Sequence, residues 1–500
     1  MRRAGILVHP TALPGPGPAG DIGPAARAFI DWLSDAGQTI WQVLPLHPVG
    51  SGFSPYASPS AFAGGAHLLS LDDLVDEGLL HRGEAAAPPH DRTRVDPDQL
   101  AAWHAPRVAC AARALVHDAP SIVEELIERA DWVADWALYA ALTHAHGVRD
   151  WRDLPPELAR RAPAALARAR TDHAAAIAEA VATQALFDRQ WRRLRAAAAH
   201  RGVALMGDMP LFVATGGADV WAHRDRFRGG PDPHGRWRPD PVTGAPPDFF
   251  SPTGQRWGTP HHDWPAHAAA GFAWWIARLA TLLDRVDTVR IDHFRGLVAA
   301  WAIPADQPDA TGGAWEPGPG RALFDALRAA LGPLPLVVED LGDLSPAVHA
   351  LRDALELPGL KILQQAFDGD PYHPFLPHNF GHARWVACTG THDTDTAVGW
   401  YTGADPLTQH HLRLAARASG DAPHWDLIRL AWASVADTAV APLQDVLGSG
   451  SEARFNTPGQ PDGCWRWRAA SLPDPAATHH LASLTHQTGR ATPPSPETPD

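Results

Sequence analysis

Four carboxylates in this chain stand at the ends of short aliphatic runs, and this restricts the folds open to it more than any other feature. Asp208 closes VALMGD, Asp292 closes TVRID, Glu339 closes LVVE, and Asp393 follows WVAC in WVACTGTHD. Short, mainly apolar runs of this length fit strands buried on both faces, as in a parallel sheet. In a (β/α)8 barrel the working side chains sit at the C-terminal ends of the strands, so acids far apart in sequence would meet at one rim. The spacing agrees with that reading. A barrel unit averages about 30 residues, and Glu339 and Asp393 are two such units apart. Asp208 and Asp292 are separated by one unit plus a Pro- and Trp-rich insertion.

Within TVRIDHFRGL, 288–297, extended backbone would put Arg290 and Asp292 on one face. A guanidinium beside a carboxylate favours the ionised form that a carboxylate nucleophile requires. A structural Arg–Asp pair at a strand end would look the same, and so would a capping carboxylate at each other position. Four such acids on successive strand ends make those readings harder to sustain.

The opening of the chain sets the topology. Gly5 to Val8 reads as a strand, Ala26, Phe29, Ile30 and Leu33 mark a helix ending near Gly37, and Thr39 to Leu44 reads as a second strand. The loop 46–65 is too long for a plain connector. From 71 to 200 the chain turns to Ala, Arg, Glu and Leu in helical periods, as in 120–142 and 163–199, which predicts a helical insertion. Residues 215–264, rich in Gly, Pro, Asp and Trp, predict an irregular one. Strands are expected at 203–206, 289–291, 336–338, 360–364 and 385–388, with helices between about 409 and 447. The expected organisation is an α/β chain, a (β/α)8 TIM barrel over 1–485 carrying both insertions, with a disordered tail at 486–500.

Composition narrows the partners. The formal charge of −14 and pI near 6.0 leave no basic footprint for nucleic acid. Lys361 is the one lysine. Cys110, Cys388 and Cys464 are far apart, odd in number and without metal-type spacing, which fits a reduced cytoplasmic compartment. The apolar run of MRRAGILVHP stops too early for a secretion signal, and no stretch is long enough for a membrane span. Of 21 tryptophans, some offer flat faces suited to sugar rings. His261, His262 and Asp263 lack a third ligand at diagnostic spacing, so a loop or subsite role is expected there rather than a metal. GPGPAG at 15–20 is no dinucleotide fingerprint.

Two carboxyls flanking a glycosidic bond are what glycoside cleavage needs. One attacks the anomeric carbon, and the other protonates the leaving oxygen and later deprotonates the acceptor. Asp292 beside Arg290 suits the first task. Glu339, following Leu336 to Val338, suits the second, because apolar surroundings keep a carboxyl protonated. Asp393 would stabilise the oxocarbenium-like charge.

The ordered motifs HPTALPG, WQVLPLHP, SPYASPSAFAG, GDMPLFV, PPDFFSPTGQRWG, VRIDHFRGL, EDLG, LPGLKILQQAF, TGTHD, LQDVLG and RFNTPG resemble the amylomaltases. These are bacterial 4-α-glucanotransferases, also called disproportionating enzymes, of the α-amylase clan. The resemblance spans about 4–468 and implies a barrel with inserted subdomains. It implies that Asp292 is the nucleophile, Glu339 the acid/base and Asp393 the transition-state stabiliser. Arg290, Asp208, His293 and His392 would line the donor subsite, with Tyr56 stacking there. The loops at 50–65 and 246–260, with Trp257, would cover the site and stack the acceptor. Thr394, Gly65, Cys464, Cys388 and Ala302 depart from the family pattern, and none of them replaces a catalytic acid.

The expected activity is retaining transfer of an α-1,4-glucan segment from one maltodextrin to the 4-hydroxyl of glucose or another glucan. A monomer is expected, acting without metal or organic cofactor and without nucleic-acid or membrane partners. The rivals are an α-glucan hydrolase on the same site, separable by its products, and a non-catalytic glucan-binding protein, which should have lost an acid. A sugar-phosphate barrel enzyme would need a Gly-rich phosphate loop after the late strands.

Overall fold

The computed structural model describes residues 2–247, 251–342, 344–460 and 462–491. Eight strands form one sheet: β1 (Arg3–Leu7), β2 (Ile40–Gln42), β3 (Ala204–Met209), β4 (Thr288–Ile291), β5 (Leu336–Val338), β6 (Gly359–Ile362), β7 (Trp385–Cys388) and β8 (Thr438–Pro442). Successive strands from β1 to β5 and from β6 to β8 pair in parallel, and β8 pairs in parallel with β1. Between β5 and β6 the ring closes differently. Val338 N–H donates to the Pro358 carbonyl at 2.9 Å, and Leu360 N–H donates to Asp340 Oδ1 at 2.8 Å. A buried carboxylate, itself paired with Arg352 at 2.5 Å, thus takes the place of a missing backbone acceptor.

Ile6, Trp41, Leu205, Val289, Val338, Ile362, Ala387 and Ala439 are fully buried, as expected of strands covered on both faces. Gly5 has no alternative, because a Cβ there would collide with the Ile40 carbonyl across the β1–β2 pair. Helices Pro24–Asp35, Ala273–Leu283, Arg321–Leu331, Pro346–Ala354 and Pro423–Ala433 cover the outside. Between β6 and β7 the described residues hold only 3₁₀ turns, Leu363–Gln365 and Pro377–Asn379.

The segment between β2 and β3 carries helices Pro97–Asp118, Ser121–Arg129, Trp132–His146, Pro163–Asp172 and Ala174–His200. The last of these buries Phe187, Trp191 and Leu194 and leads straight into β3. Among the described residues no helix is long and apolar enough to cross a membrane.

Three expectations need correction. The 215–264 segment is not wholly irregular: Val242–Ala245 and Gln255–Pro260 pair antiparallel, and with Ala299–Ile303 and Ala314–Pro317 they make a four-stranded sheet. Prolines and glycines broke the alternating signal, while the partners of 242–244 came from about 60 residues further on. Asp248 to Phe250 of the PPDFF motif lie outside the described residues. The stretch expected to be helical up to 447 contains β8. The tail does not begin at 486, because helix Pro475–Gln487 continues to an anchored Arg490. That buried guanidinium donates to the carbonyls of Trp432, Arg3, Ser434 and Ala436, which fastens the chain end under the barrel. Residues 492–500 of the expected tail lie outside the described residues.

Candidate active site

Strand register brings the first acids together. Asp208 on β3 lies directly opposite Arg290 on β4, and Arg290 Nη1 donates to both Asp208 oxygens at 2.8 Å and to Asp292 Oδ1 at 3.0 Å. Asp208 is fully buried, and this guanidinium and the Tyr56 hydroxyl, at 2.7 Å from Oδ2, help make its burial tolerable. Burial works against the Arg290 charge, but Asp208 and Asp292 outweigh it and hold the guanidinium firmly protonated.

Asp292 and Glu339 leave neighbouring strands at the same level. Asp292 N–H donates to the Met209 carbonyl at 3.0 Å and Glu339 N–H to the Ile291 carbonyl at 2.9 Å. His293 then turns into the left-handed region (φ 51°). This turn lets its backbone N–H donate to Glu339 Oε2 at 2.8 Å, while Leu341 N–H reaches Oε1 at 3.1 Å. Burial and the facing Asp292 carboxylate nevertheless push Glu339 up to about 7, so it keeps a proton near neutrality.

Asp393 is treated oppositely. Burial alone would raise it, but His392, with Nε2 at 3.1 Å, and Asn456, whose Nδ2 donates to Oδ1 at 2.6 Å, hold it well below the usual carboxylate range. Arg454 secures the backbone by donating to the Asp393 carbonyl at 2.9 Å. Burial lowers His392 less than Asp393 raises it, so the imidazole is held up. Tyr56 stacks flat on His392, with ring centres 5.0 Å apart at 14°, and Trp465 covers the same pair at 5.6 and 5.9 Å. On the other side Trp257, 39% exposed, meets His293 edge-on at 4.9 Å. Burial lowers His293 to about 4, so that imidazole is neutral.

All nine residues singled out in the sequence therefore stand within one rim. Asn456, Arg454 and Trp465 were not singled out. The motif RFNTPG carries the first two, but nothing in their spacing says that they reach Asp393. His261, His262 and Asp263 do not converge. His262 hydrogen-bonds His267 at 3.1 Å and the Leu211 carbonyl at 3.1 Å, and Asp263 caps helix Trp264–Ala269. Among the described residues no group of three or more His, Cys, Asp or Glu side chains is placed to hold a metal ion.

A family model described as 4-alpha-glucanotransferase matches residues 8–473. The chain belongs to the 4-alpha-glucanotransferase family. Among its relatives is the 4-alpha-glucanotransferase of Thermus thermophilus, 44% identical with 97% of each chain covered. That of Synechocystis is 42% identical with 98% of each covered. The amylomaltase of Streptococcus agalactiae, solved with acarbose, superposes with a TM-score of 0.94 at 30% identity, covering 98% of this chain and all of that one. The chain is thus an enzyme of the glycosyl-transferring type, built as an α/β TIM barrel. Two of the family departures adjoin rim residues, Thr394 next to Asp393 and Cys464 next to Trp465. Thr394 Oγ1 accepts from Thr391 N–H at 3.0 Å, and Cys464 Sγ accepts from Thr457 N–H at 3.3 Å. Both replacements thus sustain local turns. All three cysteines are free thiols.

Proposed function

We propose that the enzyme is a retaining 4-α-glucanotransferase acting on maltodextrins, with Asp292 as nucleophile, Glu339 as acid/base and Asp393 as stabiliser of the positive charge at the anomeric carbon. Asp292 attacks that carbon while Glu339 gives its proton to the departing 4-oxygen. The glycosyl ester is then opened by the 4-hydroxyl of glucose or another glucan, whose proton returns to Glu339. Asp208, Arg290, His392 and His293 border the donor sugar, Tyr56 forms its apolar wall, and Trp257 stacks the acceptor. The chemistry calls for no metal or organic cofactor. A cytoplasmic monomer agrees with the free thiols and the net charge of −14, and maltodextrins derived from glycogen are the natural substrates of this reading.

The observation that carries this reading is the opposite treatment of two half-buried carboxyls: Glu339, facing Asp292, retains a proton, while Asp393, held by His392 and Asn456, is kept charged. An acid that holds its proton near neutrality while facing a carboxylate nucleophile is what double displacement asks for. Transfer rather than hydrolysis needs the acceptor sugar to reach the ester before water does. Purified protein given maltotriose is expected to yield glucose together with a ladder of longer glucans. Glucose and maltose alone, in hydrolytic proportion, would reassign it as a hydrolase.

A further inference from the structure

Immediately after β1, His9 is 4% exposed and neither of its ring nitrogens has a hydrogen-bond partner. Leaving such a group buried and unsatisfied is costly, so its retention asks for a reason. His9 lines a cavity of about 20 Å³ whose wall includes His392, Gln444, Leu44, Phe455 and Trp467. That is room for one water, which needs two or more polar partners to stay. His392 supplies the second partner. Its Nε2 is engaged by Asp393, while Nδ1 has no hydrogen-bond partner among the described residues. Gln444, whose amide nitrogen donates to the Ala453 carbonyl at 3.3 Å, supplies a third.

We propose that a single water bridges His392 Nδ1 and the imidazole of His9, making His9 a positioning residue for the His392–Asp393 pair. The inference rests on the reading of that pair as part of the donor-sugar site. When His392 is an imidazolium, both its N–H groups need acceptors. Asp393 takes one, and the water takes the other and donates its own hydrogen to His9. His9 is suited to accepting because burial first, and the nearby His392 second, lower it to about 3 and keep it neutral. The groups facing His392 are Asp393 from its own loop, Arg290 from β4, Asp208 from β3 and His9. Tyr56 and Trp465 cover its ring. His9 is neighboured by His392 and by His67.

The test compares His9→Phe, which fills the cavity and removes the acceptor, with His9→Gln, which keeps a polar group there. In protein labelled with ¹⁵N-histidine, the His392 signals are identified by their loss in His392→Asn, and their titration midpoint is read. The expected midpoint in His9→Phe lies about one pH unit lower, a tenfold change in proton affinity. Maltotriose turnover above that midpoint should fall about tenfold with it. His9→Gln should recover most of both. An unchanged midpoint in His9→Phe, or an equal loss in both variants, would reduce His9 to packing and overturn the proposal. If His9→Phe does not fold, a high-resolution crystal structure of the wild-type enzyme decides: a water within hydrogen-bond distance of both rings supports the bridge, and its absence removes it. Asp292→Asn separates the two readings. If that variant stays active, the assignment of the site has failed. If it is dead while the His392 midpoint is unmoved in His9→Phe, only the bridge has failed.

Discussion

The two sides of the rim are built by different means. On the β3–β5 side, strand pairing does the positioning. Asp208 and Arg290 are register partners, Asp292 and Glu339 each anchor through a backbone N–H to the neighbouring strand, and the ion pairs follow from that placement. On the β7 side, Asp393 stands on a loop and is held by side chains from more than 60 residues further on, Asn456 and Arg454, with Trp465 closing over His392. The chemistry divides along the same line. The strand-built side crowds carboxylates around one guanidinium and leaves Glu339 protonated; the loop-built side surrounds one carboxylate with donors and keeps it charged. An acid that must exchange a proton needs a fixed distance from its partner. An anion that must adapt to a flattening sugar ring tolerates a mount that gives.

If that division is right, the largest effects come from the strand side. Asp292→Asn and Glu339→Gln should each fold normally and lose about 10⁴-fold or more of turnover, the scale of losing a covalent or proton-transferring group. Near-native rates in either, measured on maltotriose, would mean that the roles are misassigned. Arg290→Met should cost both turnover, because Asp292 loses the guanidinium beside it, and stability. It leaves the buried Asp208 without its cation, a loss of about 3–5 kcal/mol, readable as a shifted urea midpoint with unchanged slope. A smaller loss than that from the loop-side variant below would break the comparison.

A pH profile sharpens it further. Glu339 is raised to about 7, so between the ordinary carboxyl value and about 7 the folded chain holds a proton that the unfolded chain gives up. Stability from this group is present at low pH and declines as pH rises through that window. The basic limb of kcat/KM should fall near the same value. A limb that stays flat to pH 9 would show that Glu339 is not the acid.

The same division explains what could be read from residues alone. The strand side was legible because its acids follow compact β-branched runs, and the alternation of Arg290 and Asp292 survives any choice of register. The supports of Asp393 were not, because a hydrogen bond across 63 positions leaves no periodic trace. β8 escaped for a different reason. Its residues, TAVAP, are mostly alanine and proline, lie between helices, and acquire strand character only by pairing with β1 and β7. The antiparallel sheet beside Trp257 was hidden likewise, since two of its strands come from beyond Asp292. Arg490 has no signature either, because carbonyls at the base of a barrel are invisible until the barrel closes.

The smallest expected effect falls on the loop side, and it separates a mount that tunes charge from one that merely holds shape. Asn456→Ala removes the 2.6 Å donor to Asp393 Oδ1 but leaves His392 and the Arg454 contact in place. With less donation to its anion, Asp393 should rise toward the ordinary carboxylate range. Because the ionised form is the useful one, the acidic limb of kcat/KM moves to higher pH, while the Glu339 limb stays where it was. At neutral pH the loss should be modest, about fivefold to tenfold, in keeping with one charge-assisted hydrogen bond shared by a partly solvated group. Unfolding by urea should change little. Asn456→Asp, which places a second carboxylate against the first, should shift the acidic limb further in the same direction. If neither variant moves that limb, Asn456 is only a strut, and the charge on Asp393 rests on His392 and Arg290.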